Sequence, residues 1–331
     1  MGVSAMTITR RVFAAAALGG LAAPISSGGA RAQAFPSKPF RVVVPFTAGS
    51  ASDVVPRLVF DALAKDFNQN ILIDNRPGAG GTIGSGLVAR ADPDGYTLLA
   101  TASAHTNIPS LYPDAPYDTA RDFAGVIPLG SLPQVLVVAP SSPYTSLRDL
   151  VDAARAKRGA ISYASAGIGS GSHFAAERLR LSAGFEGVHV PYKGGPEAIA
   201  DTMTGRVDFF FCPLALCGAL IEDKRLRPLA VSSPARATAL PDVPTTLETG
   251  YADSDYTFWV GVFAPAKTPV DVVAKLHDSI QAILSAADMR SKLANMAVDP
   301  MPLSPAEFDA LVKREIAANA KVIKAANIQG G

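Results

Sequence analysis

The sequence has little of what several protein classes depend on. Only two of its 331 residues are cysteines and four are histidines. A small disulfide-stabilised scaffold is therefore excluded. We also expect no metal and no cofactor, because His173 and Glu177 share a helix face without a third ligand nearby. The basic residues form no block and do not alternate with aromatic ones, so nucleic acid is not an expected partner.

The two cysteines stand close together in sequence, at Cys212 and Cys217. A disulfide between them needs a sharp turn, because an intervening helix holds the two Cα atoms more than about 7 Å apart. Free, buried thiols are therefore the favoured interpretation, with the disulfide as the alternative.

The sequence also lacks an apolar run long enough to span a membrane, which needs about 20 residues. The apolar run at residues 12–23 falls short of that length. Arg10 and Arg11 precede it, and A-x-A sites lie within residues 30–34. This arrangement is typical of a cleaved export signal of the twin-arginine type. We therefore predict that residues 1–34 are removed and that the remainder works in the periplasm. Three of the 30 basic residues lie in that segment, which leaves a net charge of −2.

What the sequence does contain is a regular alternation of apolar strands and amphipathic helices. Its apolar fraction of 48% and charged fraction of 18% suit a well-cored globular protein. The pattern predicts an α/β fold with largely parallel sheets. Strands are expected at residues 41–45, 71–74, 97–101, 135–139, 161–164, 188–191, 209–211 and 229–232. Helices are expected at residues 54–67, 146–157, 174–181, 196–204, 270–286 and 305–326, the last two bracing the first half.

Two junctions between a strand and a helix are rich in glycine and serine. Residues 44–53 and residues 161–174 both run from an apolar strand through small residues into a helix. Free backbone N–H groups and the helix dipole make such a junction an anion site. Two of them in separate halves of the chain indicate a negatively charged ligand that is held from both sides.

Other glycine-rich runs carry less functional information. Residues 84–89 fit G-x-G-x-x-A, but they lie within a predicted helix and follow no strand. We therefore interpret these glycines as structural, allowing close packing and a tight turn.

Seven runs in the same order resemble the periplasmic solute-binding proteins of the tripartite tricarboxylate transporter family, called Bug proteins. The runs are residues 35–39, 44–53, 74–81, 92–99, 163–170 with His173, 189–194 and 239–245. The resemblance covers nearly the whole chain after the export signal.

The resemblance implies a type II periplasmic binding protein, with two α/β lobes joined by two crossing strands and a ligand cleft between them. It places the crossings near residues 123–132 and 255–265. Lobe 1 would comprise residues 35–124 and 256–331, and lobe 2 residues 125–255. It further implies a non-enzymatic receptor, expected as a monomer, which captures a small organic carboxylate for the membrane subunits of such a transporter.

The predicted ligand-binding residues lie in both halves of the chain. In the first half of the chain, backbone N–H groups would hold one carboxylate of the ligand beside an aromatic side chain. The residues at the end of the strand at 97–101 would form a second side of the ligand cleft. In the second half, another loop would receive the ligand's other polar end, in part through bridging water as the resemblance implies. Asp53 is as well explained by a helix cap as by a ligand contact. The predicted residues are Phe46, Thr47, Ala48, Gly49, Ser50, Asp53, Thr101 and Ser103, then Ser165, Ala166, Gly167, Gly169, Ser170 and Cys212.

This chain departs from the family pattern at two points. Thr47 and Ser50 stand where Pro and Gly are more common, which adds hydroxyl donors. Cys212 stands where many relatives have an Asp that can pair with a ligand's amino group. Di- or tricarboxylates and aromatic acids are therefore expected as ligands in preference to amino acids.

Two functional alternatives, and the role of one lysine, remain open from the sequence. An exported hydrolase could use Ser170, with His173 as its base, if a carboxylate oriented the imidazole. An orphan sensor would present the closed form to a signalling receptor in place of a transporter. Lys193 could place a cation near the mouth of the cleft, although a solvated lysine is the simpler interpretation.

Overall fold

The computed structural model describes residues 1–2, 35–192 and 194–329, so residues 3–34 of the predicted export signal and Lys193 lie outside the described residues. The elements belong to one compact unit that begins at Lys38. The strands are β1 Phe40–Val44, β2 Ile71–Asn75, β3 Thr97–Ala102, β4 Phe123–Ser131, β5 Gln134–Val138, β6 Ile161–Ser165, β7 Gly187–Pro191, β8 Phe209–Pro213, β9 Arg227–Val231 and β10 Trp259–Pro265. The α-helices are α1 Ala51–Phe67, α2 Thr82–Ala89, α3 Ile108–Leu111, α4 Leu147–Ala156, α5 Gly171–Ala183, α6 Gly195–Met203, α7 Leu214–Glu222, α8 Val270–Ser285, α9 Ala287–Asn295 and α10 Pro305–Ala326.

The strands form two mixed sheets, with the orders β2-β1-β3-β10-β4 and β7-β6-β8-β5-β9. β1 is parallel to β2 and β3, and β6 is parallel to β7 and β8. Four of the five strands of each sheet therefore run in one direction, as predicted, whereas β10 and β5 each pair antiparallel with both neighbours. The chain reaches β5 from the first sheet and reaches β10 from the second sheet. These two strands therefore run away from the edge at which the carboxyl ends of the parallel strands meet.

The chain passes between the sheets twice. It leaves the first sheet after Ser131 and enters the second at Gln134, then returns between Val231 and Trp259. We call the first sheet with α1, α2, α8 and α10 lobe 1, and the second sheet with α4, α5, α6 and α7 lobe 2. The C-terminal helices α8 and α10 both pack against β4, and α10 also packs against α5. The domain boundaries predicted at residues 124–125 and 255–256 stay predictions.

Buried side chains cover both faces of the second sheet. Along β8, Phe209 and Phe211 belong to one apolar cluster, whereas Phe210 and Cys212 belong to the cluster on the opposite face. Alternation of this kind follows from the two-residue repeat of a strand. It explains why this strand reads as a continuous apolar run in the sequence.

Two helices begin earlier than predicted, and both begin after a serine. α1 starts at Ala51 with Ser50 as its N-cap, and α5 starts at Gly171 with Ser170 as its N-cap. The predictions from apolar spacing began each helix three residues later, because the first turns contain small and polar residues. The two caps have nearly the same backbone geometry, with φ, ψ of −69°, 160° and −69°, 161°.

The structural interpretation of the glycines in α2 is confirmed at Gly84. A Cβ at Gly84 would lie only 2.8 Å from the carbonyl oxygen of Arg76 and 2.9 Å from Pro45 Cβ. Gly84 therefore permits the helix to approach the backbone that follows β2 and the residue that follows β1.

Candidate functional site

The loop between β1 and α1, residues 46–50, presents unused donors. Thr47, Ala48 and Gly49 are exposed and Phe46 is half-buried. Among the described residues, the N–H groups of Thr47 and Ala48 have no hydrogen-bond partner. Ser50 Oγ is buried and also unpartnered, although Ser50 is the N-cap. Free donors at the positive end of α1 can hold a carboxylate.

Asp53 shapes this loop from within. Its carboxylate is almost completely buried and accepts hydrogen bonds from Gly49 N–H at 2.8 Å, Asn75 Nδ2 at 2.8 Å and Arg57 Nε at 2.9 Å. Burial acts to raise the pKa of Asp53, but these hydrogen bonds outweigh it and leave the pKa below its usual value. Asp53 therefore holds the loop, and the N–H of Gly49 is already occupied.

Asn75 is a positioning residue that the sequence reasoning missed. Besides its bond to Asp53, Nδ2 donates to the carbonyl oxygen of Phe46 at 3.0 Å, and Oδ1 accepts from Arg57 at 2.6 Å. The loop that Asn75 holds contains Gly49 at φ +83°, a backbone conformation that residues with a side chain rarely adopt. The only sequence signal for Asn75 was its place in the run at residues 74–81.

The residues predicted to form a second side of the cleft in the first half of the chain are not accessible to solvent. Thr101 and Ser103 are buried. Ser103 Oγ shares a hydrogen bond of 2.9 Å with the hydroxyl of Tyr256, which lies just before β10. The structure thus places Ser103 where it joins lobe 1 to the returning segment, and its ligand role stays a prediction.

In the loop between β6 and α5, residues 166–170, most backbone donors are already used. Ala166 N–H donates to Ser172 Oγ at 2.9 Å, and Gly167 N–H to Ser165 Oγ at 3.1 Å. Ser170 N–H donates to Gly167 O at 3.2 Å. Within the described chain only the N–H of Ile168 in this loop lacks a partner, and its side chain is 51% exposed. Ile168, which the sequence reasoning left out, is therefore the available backbone donor.

Two stacked imidazoles support this second loop. The ring centroids of His173 and His189 lie 3.9 Å apart, and the angle between the two ring planes is 7°. His173 Nδ1 accepts from Gly169 N–H at 3.2 Å, so the ring is bonded to the loop that precedes α5. His189 Nε2 shares a hydrogen bond of 2.7 Å with Ser165 Oγ. Burial, with the neighbouring His189, lowers the pKa of His173 to about 3, so the ring is neutral.

The same contacts argue against a Ser170–His173 nucleophile pair. Ser170 Oγ donates to Gly167 O at 2.6 Å and accepts from the backbone N–H of His173 at 3.4 Å. Its proton is therefore directed at a carbonyl oxygen and not at the imidazole, whose Nδ1 is occupied by Gly169.

Both cysteines are free and fully buried, as favoured from the sequence. Cys217 Sγ lies 3.4 Å from Pro213 O and 3.8 Å from Cys212 O. Burial raises the pKa of the Cys212 thiol, which is therefore uncharged. The structure does not bring the Cys212 side chain to an exposed wall, and the ligand role predicted for it stays a prediction.

One direct contact connects the second loop to lobe 1. Asn107, in the 3₁₀ turn after β3, donates from Nδ2 to the carbonyl oxygen of Gly169 at 3.2 Å. Leu111 of α3 belongs to the same apolar cluster as Phe174 of α5. The elements after β3 therefore lie against the start of α5, which brings the two lobes together beside the second loop.

No group of three His, Cys, Asp or Glu side chains is arranged to hold a metal ion in residues 1–2, 35–192 and 194–329. None of the helices in this part of the chain is long and apolar enough to cross a membrane.

Known proteins resemble this chain in both sequence and architecture. A family model described as "Tripartite tricarboxylate transporter family receptor" matches residues 55–328. A protein of Pseudomonas sp. (strain P51), the "UPF0065 protein in tcbD-tcbE intergenic region", is 37% identical over 302 residues, which is 90% of each chain.

Two solved structures with bound acids have a similar fold. "R. palustris Rpa4515 with adipate" has a TM-score of 0.79 at 33% identity, covering 89% of this chain and 99% of its own. MatC from Rhodopseudomonas palustris, with bound malate, has a TM-score of 0.75 at 30% identity, covering 87% and 100%. With two α/β lobes, crossing strands and a family match over most of its length, this chain belongs to the tripartite tricarboxylate transporter family of periplasmic solute-binding receptors, the Bug proteins.

Proposed function

We propose that this chain captures a small organic carboxylate, a di- or tricarboxylate or an aromatic acid, between its two lobes. It then delivers the ligand to the membrane subunits of a tripartite tricarboxylate-type transporter. The protein is a non-enzymatic monomer of the periplasm, exported by the twin-arginine route. The ligand touches both lobes only when they meet, so binding favours the closed form.

The observation that carries this proposal is the set of unused donors in the first loop. The N–H groups of Thr47 and Ala48 and the buried hydroxyl of Ser50 lack partners among the described residues, at the start of a 17-residue helix. We infer that a carboxylate of the ligand accepts from these donors. Adipate and malate in the two related structures are both dicarboxylates, which supports the same ligand class here.

A thermal-shift screen of the purified protein tests the ligand class. Adipate, malate, citrate, benzoate and aspartate are compared with adipamide, which has the shape of adipate without its charge. A ligand at 100 times its dissociation constant adds about 2.7 kcal/mol, which moves the midpoint by roughly 5 °C or more. We expect a shift from at least one non-amino carboxylate, a smaller one from aspartate, and none from adipamide.

Ser50→Ala tests the first loop directly. We expect it to weaken binding of the best acid about tenfold or more, because a hydrogen bond to a charged group is lost. Ser141→Ala, at an exposed serine between β5 and α4, is the matched control and should bind as the wild type does. No shift from any carboxylate, or equal binding by Ser50→Ala, would contradict the proposal.

A further inference from the structure

Asn319, on α10, lies at the centre of a buried polar connection between the lobes. Its side chain is completely buried, and both its oxygen and its nitrogen have hydrogen-bond partners. Oδ1 accepts from Arg178 at 2.8 Å, and Nδ2 donates to Thr106 Oγ1 at 2.9 Å and to Asn107 Oδ1 at 2.8 Å. Arg178 belongs to α5 of lobe 2, whereas the other two partners follow β3 of lobe 1.

The connection reaches the second loop through Asn107. With its Oδ1 fixed by Asn319, the Asn107 amide can point only its Nδ2 at the carbonyl oxygen of Gly169. At the other end, Arg178 also donates to the carbonyl oxygen of Asp255 at 2.6 Å, in the segment that returns to lobe 1. One asparagine thus determines the orientation of a side chain that holds a candidate ligand loop.

We propose that Asn319 is a positioning residue, which orients Asn107 so that the loop at residues 166–170 is held against lobe 1. The inference concerns the same site as the proposed function and rests on it only for ligand affinity. Loop order can be measured without any ligand. Buried polar networks of this kind specify one arrangement because a partly satisfied network is costly.

Asn319→Asp separates the positioning role from general stability. The carboxylate still accepts from Arg178 but cannot donate to Thr106 or Asn107. The Asn107 amide then turns its Nδ2 toward position 319 and its oxygen toward Gly169 O, which repels the loop. Asn107→Ala removes the same contact at its other end and serves as a second variant if the first does not fold.

Hydrogen exchange measured by mass spectrometry on the ligand-free protein is the decisive experiment. We expect exchange in residues 166–170 to rise about three- to tenfold in each variant, which corresponds to the loss of one hydrogen bond. The double variant should rise no further, because both changes remove one contact. The exposed Asn295→Asp, on α9, is the charge-matched control and should leave this exchange unchanged.

Two results would overturn the inference. One is unchanged loop exchange in folded Asn319→Asp and Asn107→Ala, and the other is an equal rise in all segments of both lobes. Adipate titrations supply the affinity arm, in which we expect both variants to bind at least threefold more weakly. If wild type binds no adipate, the fault lies with the proposed ligand class, and loop exchange still decides the role of Asn319.

Discussion

At the scale of single residues, the polar side chains of the candidate site divide into those without a described partner and those that hold the loops. Asp53 appeared from the sequence as either a cap or a ligand contact. Its buried carboxylate accepts from Gly49, Asn75 and Arg57, so it has a structural role. Ser50 is the reverse case, since its hydroxyl caps nothing.

Asp53→Asn should therefore loosen the first loop. We expect a loss of about 1.5–3 kcal/mol in the free energy of unfolding at pH 7, because hydrogen bonds to a buried charge are weakened. The folded-state pKa of Asp53 is lowered, so this stability is present above the unfolded-state pKa and is lost as pH falls through the folded-state value. Denaturant titrations at pH 7 and near pH 3 should thus show the difference from wild type shrinking in acid. The exposed Asp66→Asn on α1 is the control, and a difference that stayed constant with pH would contradict the assignment.

At the scale of elements, α1 and α5 begin with the same cap residue in the same conformation but use it differently. Ser170 Oγ accepts from His173 N–H and donates to Gly167 O, whereas Ser50 Oγ has no described partner. Apolar spacing predicted both helices, but it could not show this difference. At Ser170 the carbonyl oxygen of Gly167 accepts the hydroxyl proton, whereas no acceptor among the described residues bonds Ser50 Oγ.

Ser170→Ala and Ser50→Ala should accordingly affect stability in different ways. Loss of the cap at α5 should lower the free energy of unfolding by about 1 kcal/mol. Ser50→Ala should change the free energy of unfolding by no more than a few tenths of about 1 kcal/mol, because no hydrogen bond within the protein is broken. Urea unfolding of the two variants beside wild type measures both, and an equal loss in the two would be inconsistent with a free hydroxyl at Ser50.

At the scale of the whole molecule, the return of the chain to lobe 1 places a carboxyl group in a weakly solvated position. Glu315, on α10, accepts from Trp259 Nε1 at 3.0 Å, at the first residue of β10. Burial raises the pKa of Glu315 to about 7, although Trp259 and Arg178 act to lower it. The group is thus close to half-charged at neutral pH.

The free energy of unfolding should therefore fall as pH rises from 4.5, the usual pKa of a glutamate, to about 7. A carboxyl whose folded-state pKa is raised contributes stability below its unfolded-state pKa, and this is lost as pH rises through the folded-state value. Glu315→Gln should resemble wild type near pH 4.5 and be more stable by roughly 1–3 kcal/mol at pH 8. Unfolding followed by the fluorescence of Trp259, the single tryptophan, measures this. Parallel pH profiles for the two proteins would rule out titration of Glu315.

The sequence by itself determined most of the strands and helices of this protein. Two-residue and helical periodicities placed them, except β4, β10, α3, α7 and α9, and the serine- and glycine-rich junctions marked both loops, because these signals are local. Only the tertiary structure decided that the sheets are mixed, since strand direction depends on where the chain crosses between lobes. It alone also decided that Asp53, Ser103 and most donors of the second loop are occupied. The donors of the second loop are satisfied between residues 165 and 173, where the orientation of side chains in the folded loop decides the pairing. Asn75 and Tyr256, which bond Asp53 and Ser103, come from other elements, and no local pattern records which distant pairs will meet.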